Sequence, residues 1–388
     1  MVTSVELQLR KFVAPEYIFG VDARRLAGRY AKNLGGRKIL VVSDPGVVAA
    51  GWTGDVTESL EAVDLPYVLF TAVSPNPRAE EVMAGAELYR AHGCDVIVAV
   101  GGGSPLDCAK GIGIVSSNRR HILSFEGVDQ VPLPMPPLIC IPTTSGTSAD
   151  VSQFAIITDL QEKIKIAIVS KSVVPDLALI DPQTLTSMDA YLTACTGLDA
   201  LTHAVEAFVS NAHSPMTDLH ALEAIRLVSE HLIASIHNPD DVQLRAEVML
   251  GSLQAGLAFS NAILGATHAM AHSLGGLLDL AHGECNAILL DHVIAFNYAA
   301  SPERFEKIGA ALGLQLGGLS SAKKKQALLN RIREFKSGAG IDRRLGMLGV
   351  SRGDLSPLSR KALKDPCLIT NPRPAKKRDL EVIYEESL

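Results

Sequence analysis

Short apolar runs alternate with amphipathic stretches through the first half of the chain. Lys38–Ser43 (KILVVS), Pro66–Thr71 (PYVLFT), Asp95–Val100 (DVIVAV) and Pro137–Ile141 (PLICI) are apolar along most of their length and do not alternate in and out. Such runs predict strands buried on both faces, as in a parallel sheet. The strand–helix alternation predicts an α/β layer fold. After Asp181-Pro182 the period changes and strand-like runs almost vanish. Ala/Leu/Glu-rich segments predict helices over Thr193–Ser210, Met216–Ile236 and Asp241–Ser260, and a helical stretch from Leu253 to Leu274 that Gly275 and Gly276 should end. Gln183–Met188 reads as the boundary. Residues 1–185 are expected to form an α/β parallel-sheet domain and residues 186–388 an all-α domain.

Composition narrows the class without changing that division. With 388 residues, 47 % hydrophobic and 20 % charged, the chain can build two domains with substantial cores. A net charge of −6 and a pI near 6.0 provide no basic field for nucleic acid or an anionic membrane surface. Lys323-Lys324-Lys325, in a charged helical stretch, reads as a solvated face. Glu6, Arg10 and Lys11 interrupt the N-terminal apolar residues, so no signal-peptide core is expected. No apolar run approaches the roughly 18 residues of a membrane span. The six cysteines are scattered without a CxxC pair, which suits reduced thiols in a cytoplasm.

Two loops at predicted strand ends look ready for an anion. The strand Asp95–Val100 runs into GGGSPLDCAKGIG, Gly101–Gly113. Three glycines leave backbone amides uncovered, and a helix starting near Ser104-Pro105 would aim its N-terminus at the same place. The pattern is neither the usual dinucleotide fingerprint, since Leu106 holds the third glycine position, nor a P-loop. The strand at Pro137 leads into PTTSGTSAD, Pro142–Asp150, which offers Thr143, Thr144, Ser145, Thr147 and Ser148. Asp44 ends the strand Lys38–Ser43. It could accept from ribose hydroxyls and repel a 2′-phosphate, favouring NAD over NADP, or it could simply form the turn before Pro45.

The second half carries a constellation of metal-binding residue types. Asp199 and His203 are four apart in LDALTHAVEAF, so a helix would place both on one face. His268 and His272 share that spacing within GATHAMAHSLGGLLDLAHGECNAILL, and His282 follows. One carboxylate with three or four imidazoles suits a divalent transition metal acting as a Lewis acid. These histidines sit among Ala, Met, Leu and Gly, where a buried ring needs a partner. Cys285 reads as a packed thiol.

Together, Asp199-x3-His203, GATHAMAHSLGG with the later HG, GGGSPLD and PTTSGT closely resemble the motifs of the iron-containing (group III) alcohol dehydrogenases. IFG at 18–20, SPNP at 74–77, VPDLALIDP at 174–182 and TNPR at 370–373 match further landmarks, so the resemblance spans nearly the whole chain. It implies a Rossmann-like NAD-binding domain followed by a helical domain, in a dehydroquinate-synthase-like architecture with the active site between them. It implies that Asp199, His203, His268 and His282 hold the metal, while His272 lies near the nicotinamide and orients substrate or relays a proton. Gly102, Gly103, Ser104 and Asp107 would line the pyrophosphate and nicotinamide region, and Asn76, Thr143, Thr144, Thr147 and Lys165 match other cofactor positions. The implied reaction interconverts primary alcohols or small diols with aldehydes by hydride transfer to NAD, through an alkoxide held on Fe²⁺. The donor set would also take Zn²⁺ or another divalent metal. The family is commonly oligomeric, so a homo-oligomer is expected. Residues near Phe154, Phe259 and Leu264 should line the pocket and favour a small or mildly apolar alcohol.

Two departures stand out. The family loop usually continues GT-G-S-E where this chain has Ser148-Ala149-Asp150, and Pro is frequent where this chain has Asp291. Other activities on the same architecture are a zinc-dependent polyol or glycerol-type dehydrogenase and a dehydroquinate-synthase-like lyase. The lyase would need a more basic pocket than the sequence shows. A non-enzymatic binding protein would not need an intact ligand set and phosphate loop.

Overall fold

The computed structural model describes residues 11–388. The part of the N-terminal reading that rests on Glu6 and Arg10 lies outside the described residues. Among the described residues there are nine strands: β1 Glu16–Phe19, β2 Ile39–Val42, β3 Tyr67–Phe70, β4 Val96–Gly101, β5 Gly127–Val128, β6 Leu138–Pro142, β7 Phe154–Asp159, β8 Ile164–Val169 and β9 Leu177–Ile180. Six form one sheet in the order β1-β9-β6-β4-β2-β3, with every pair parallel.

The four strands predicted from uniform apolar runs are β2, β3, β4 and β6. In β4, Ile97 and Ala99 enter the core on one face of the sheet, while Val96, Val98 and Val100 enter the core on the other. Two cores fed by alternate residues explain why the run shows no polar alternation. β3 differs from expectation because it is an edge strand: it is only partly covered, and Leu69 is exposed.

Strand order reverses between β2 and β4, because β3 lies outside β2 while β6 and β9 follow on the far side of β4. Open parallel sheets bind ligands at the carboxyl ends of strands beside such a reversal. The loops that leave β2 and β4 carry Asp44 and Gly102, so the topology places these two positions at one crevice.

Among the described residues no strand follows β9. The predicted helices appear as Ala190–Val209, Pro215–His237 and Val242–Ala262. Each starts on a side-chain cap: Asp189 accepts from Leu192 N, Ser214 from Thr217 N and Asp241 from Leu244 N, satisfying amides that the first turn leaves open.

The helical stretch expected from Leu253 to Leu274 is instead two helices. Val242–Ala262 stops, Ile263 adopts a left-handed φ of 61°, and Ala266–Leu278 starts in a direction 98° away. Nor do Gly275 and Gly276 end the second helix. A Cβ on Gly276 would lie 2.9 Å from the Ile164 backbone, and one on Gly275 would lie 2.8 Å from Lys165 Cε. These glycines admit β8 against the helix, and the helix ends later at Asp279, in left-handed conformation.

A second sheet went unread in the sequence. β7 and β8 form an antiparallel hairpin, joined by β5. Ala155 and Ile157 point into the core, so Phe154, Ile156 and Thr158 face the other way. All six cysteines are unpaired and buried. Among the described residues no single helix is long and apolar enough to cross a membrane.

Candidate active site

The Ala190–Val209 helix presents Asp199 and His203 one turn apart, as the spacing required, and both are buried. The perpendicular turn at Ile263 brings His268 over them. The rings of His203 and His268 stack with centroids 4.4 Å apart, and Phe259 covers the other face of His203 at 4.3 Å. His282 opens the next helix, His282–Asn297. His268 Nε2 and His282 Nε2 each lie 3.7 Å from Asp199 Oδ1. That is too long for a hydrogen bond, but it suits donors that share one ion about 2.0–2.2 Å from each.

Several buried polar atoms here lack a protein partner, including His203 Nδ1, His268 Nε2 and Asn286 Oδ1. Leaving such groups unpaired is costly, so the cluster is incomplete without a cation. The electrostatics agree. Burial works against the charge on Asp199, yet His203, His282 and His268 hold its carboxyl well below the usual range. Burial lowers His203 to about 3 and pushes His282 well below its ordinary value. Burial would lower His268 too, but the carboxylates of Asp199 and Glu206 outweigh it and raise that ring to about 9. The donor set therefore fits a divalent metal: Asp199, His268 and His282 bring ligand atoms within 4.8 Å of one another beside the buried His203 ring, and a bound cation would take the place of the His268 Nε2 proton.

His272 stands apart from the set. Its Nδ1 lies 2.8 Å from Asp365 Oδ2, and its ring stacks on His282 at 5.2 Å. Burial raises Asp365, but its contact with His272 outweighs this and keeps the carboxyl below its ordinary value. As an acceptor only, Asp365 holds a proton on His272 Nδ1 and turns Nε2 away from itself. His272 lines a cavity of about 150 Å³ with His203, His268 and His282, and Phe154, Ile156, Phe259 and Leu264 supply apolar wall. The three residues expected to line the pocket do so.

A neighbouring cleft of about 610 Å³ contains Asp44, Gly102, Gly103, Ser104, Thr143, Thr144 and Thr147. Gly103, Ser104 and Thr147 also line the catalytic cavity, so the two are joined there. The Gly103–Asn118 helix begins at Gly102 without a side-chain cap, and its first amides point into the cleft as an anion site. A Cβ on Gly103 would stand 2.7 Å from Thr147 Cγ2, and one on Gly102 3.1 Å from Thr144 Cγ2, so the threonine loop itself demands glycine. Asp44 caps the helix Pro45–Ala49 by accepting from Val47 N at 2.9 Å while also lining the cleft, so turn-former and cofactor contact are compatible roles.

Other expected cofactor residues are engaged by protein. Lys165 Nζ donates to Asn76 Oδ1 at 2.7 Å, and Asn76 Nδ2 donates to Asp279 Oδ1 at 2.8 Å. Asp107 accepts from Ile156 N at 3.1 Å, and burial pushes its carboxyl up to about 6 against Lys110 and that amide. In the departing loop, Ser148 is left-handed with φ 48° and donates to Ser252 O at 2.7 Å. Asp150 is raised to about 6 by burial, against its own backbone amide and Lys110.

Sequence reading missed three supporting residues. Glu206 lies one turn beyond His203, accepts from Thr267 N at 2.6 Å and meets His268 Nδ1 at 2.7 Å. Asn286, one turn after His282, donates to Asp199 Oδ1 at 2.7 Å. Asp365 is the third. Glu206 had a usable signal: 199, 203 and 206 mark one helix face.

The profile described as iron-containing alcohol dehydrogenase matches residues 14–182. That of the C-terminal part of the Fe-containing alcohol dehydrogenase family matches 193–388. The chain belongs to the iron-containing alcohol dehydrogenase family. It is similar to 1,3-propanediol dehydrogenase of Citrobacter freundii, 38 % identical over 95 % of this chain and 96 % of that one. It is also similar to NAD-dependent methanol dehydrogenase of Bacillus methanolicus, 33 % identical over 97 % and 99 %. A crystal structure of 1,3-propanediol oxidoreductase superposes with a TM-score of 0.95 at 36 % identity, covering 98 % of this chain and 100 % of that one. Membership makes this chain an oxidoreductase acting on alcohols.

Proposed function

We propose that the protein oxidises primary alcohols to aldehydes reversibly, with NAD⁺ as hydride acceptor and Fe²⁺ held by Asp199, His203, His268 and His282. The observation that carries this is the cluster of buried, unpartnered imidazole nitrogens around one ionised carboxylate, opening onto a cavity that joins a phosphate-binding crevice. When bound, the divalent metal supplies Lewis-acid polarisation that eases loss of the hydroxyl proton. Glu206 orients His268 by taking its Nδ1 proton in a hydrogen bond, which leaves Nε2 toward the cluster. Asn286 fixes the Asp199 carboxylate. His272, oriented by Asp365 at Nδ1, uses Nε2 to accept the hydroxyl proton or to orient the alcohol. Phe154, Phe259 and Leu264 exclude water from the reacting carbon.

Residues 1–185 carry the cofactor in this reading and residues 186–388 carry the metal. The Gly102–Ser104 amides receive the pyrophosphate, and Thr143, Thr144 and Thr147 with Asp107 flank the dinucleotide. Asn76 and Lys165 exchange their mutual bond for the cofactor. Asp44 sets the preference for NAD. Reduced, buried thiols support a cytoplasmic setting, and the open edge at β1, with Tyr17 exposed, supports a homo-oligomer. The test is an alcohol and aldehyde panel with NAD⁺ and NADP⁺ on anaerobically purified, metal-assayed protein. Turnover of primary alcohols with NAD⁺, proportional to iron content, is expected. Absence of turnover with iron fully loaded would overturn the reading.

A further inference from the structure

β7 is the terminal strand of the small sheet, so backbone groups on its side away from β8 have no neighbouring strand. Side chains of the Gly103–Asn118 helix take that place. Lys110, fully buried on this helix, donates from Nζ to Phe154 O at 2.7 Å and to Ser152 O at 2.9 Å, with Ser152 Oγ at 3.3 Å. One turn earlier, Asp107 accepts from Ile156 N at 3.1 Å. Thr158 N extends the row by donating to Pro77 O at 2.8 Å. The three ammonium protons of Lys110 thus meet three acceptors, and among the described residues none of them is a carboxylate. Burial lowers the Lys110 pKa despite the nearby Asp107, Cys140 and Asp150. A buried cation without a hydrogen-bonded counterion is costly, and its bonds to one strand edge are what offset that cost.

The two ends of this stitch serve different halves of the reacting centre. The helix starts at Gly103 and Ser104, which line both the cofactor cleft and the catalytic cavity. The strand carries Phe154 and Ile156, part of the apolar wall of that cavity. Phe154 meets Phe259 with ring centroids 5.7 Å apart, and Phe259 covers His203 at 4.3 Å. Lys110 lines neither space, yet its bonds set how far the cavity wall stands from the start of the helix. Without them, two buried carbonyls would lose their partners, and the strand edge would have to move to recover them.

We propose that Lys110 is a positioning residue for the alcohol: with Asp107 it replaces a missing strand along the free edge of β7, and so fixes Phe154 and Ile156 relative to the cofactor-binding end of its helix. The proposal rests on the alcohol dehydrogenase reading above. In iron-loaded enzyme, Lys110→Met keeps a long side chain and removes the donors. KM for a small primary alcohol should rise roughly tenfold and kcat fall about ten- to a hundredfold, the scale of a misplaced reactant, while iron content and Kd for NAD⁺ stay within about threefold. A role in stability alone would lower the amount of active enzyme and leave KM untouched, and that result would overturn the proposal. A second measurement needs no variant. In wild-type protein the Ile156 amide should exchange hydrogen as slowly as the amides that pair β7 with β8. Exchange at the rate of an exposed loop would overturn the stitch, even where Lys110→Met does not fold. If wild-type enzyme turns over no alcohol, the functional reading falls, and Ile156 exchange still decides whether the stitch exists.

Discussion

Asp199 and Asp291 are both carboxylates on helices of the C-terminal half, both 2 % exposed, and they end in opposite states. Asp291 meets Lys336 Nζ at 2.6 Å and Arg333 Nε at 2.7 Å, so the chain itself supplies its countercharge. Asp199 receives one amide hydrogen bond from Asn286 and otherwise faces His268 Nε2, which has no partner, and His282 Nε2, which meets only the same Asn286 amide. A buried carboxylate needs a cation. At Asp291 the fold provides one. At Asp199 it provides a shell and leaves the cation to be recruited. The difference separates a structural ion pair from a binding site more sharply than burial does.

The largest effect should come from the incomplete member. Asp199→Asn and His203→Ala are each expected to empty the metal site and lower kcat/KM by at least about 10³-fold, the equivalent of several kcal/mol. Full metal content with wild-type turnover would dissolve the contrast. Asp291→Asn should instead leave bound metal intact and cost about 3 kcal/mol in urea unfolding, because it strands Lys336 in a buried position. Burial raises Asp291, but Lys336 and its neighbours outweigh this and hold it low. Its stabilisation is therefore complete above the ordinary carboxylate value of about 3.9 and fades as pH falls through the lower folded value. A variant deficit that instead grows toward acid pH would contradict that sign.

Glu206→Gln probes the shell without touching a donor. Metal affinity should fall by about 10- to 100-fold, as for other carboxylates behind a ligating histidine, read by competition with a chelator. The smallest effect is expected at Asp44→Gly. A cap lost to glycine costs only a few tenths of a kcal/mol, while use of NADP⁺ relative to NAD⁺ should rise by about tenfold once the carboxylate no longer repels a 2′-phosphate. A wild-type enzyme that already prefers NADP⁺ would remove Asp44 from that role.

What the sequence disclosed follows from where the information lies. Asp199 and His203 were legible because helical spacing is local, and β2, β4 and β6 because two-sided burial leaves an uninterrupted apolar run. Asp365 was not legible: it sits 93 residues from the histidine it orients, and no local period links them. The break at Ile263 was hidden because no Pro marks it and Gly265, which caps the second helix, sits inside an otherwise apolar run. Thr370 Oγ1 donates to Leu264 O at 2.7 Å from a distant segment, so tertiary contacts hold the turn. The same glycines that looked like a helix stop, Gly275 and Gly276, were answering a strand that the reading had not found. Had FAIITD and IKIAIV been read as a hairpin, that error and the missing pocket wall would have been corrected together.

The six unpaired cysteines have a consequence for handling the enzyme. With every thiol enclosed, a water-soluble thiol reagent added to the native protein should find almost nothing to modify. Activity lost on standing in air should then return with ferrous iron and not with a reductant of disulfides. Ageing of this catalyst would be a matter of its exchangeable ion, leaving the polypeptide reusable.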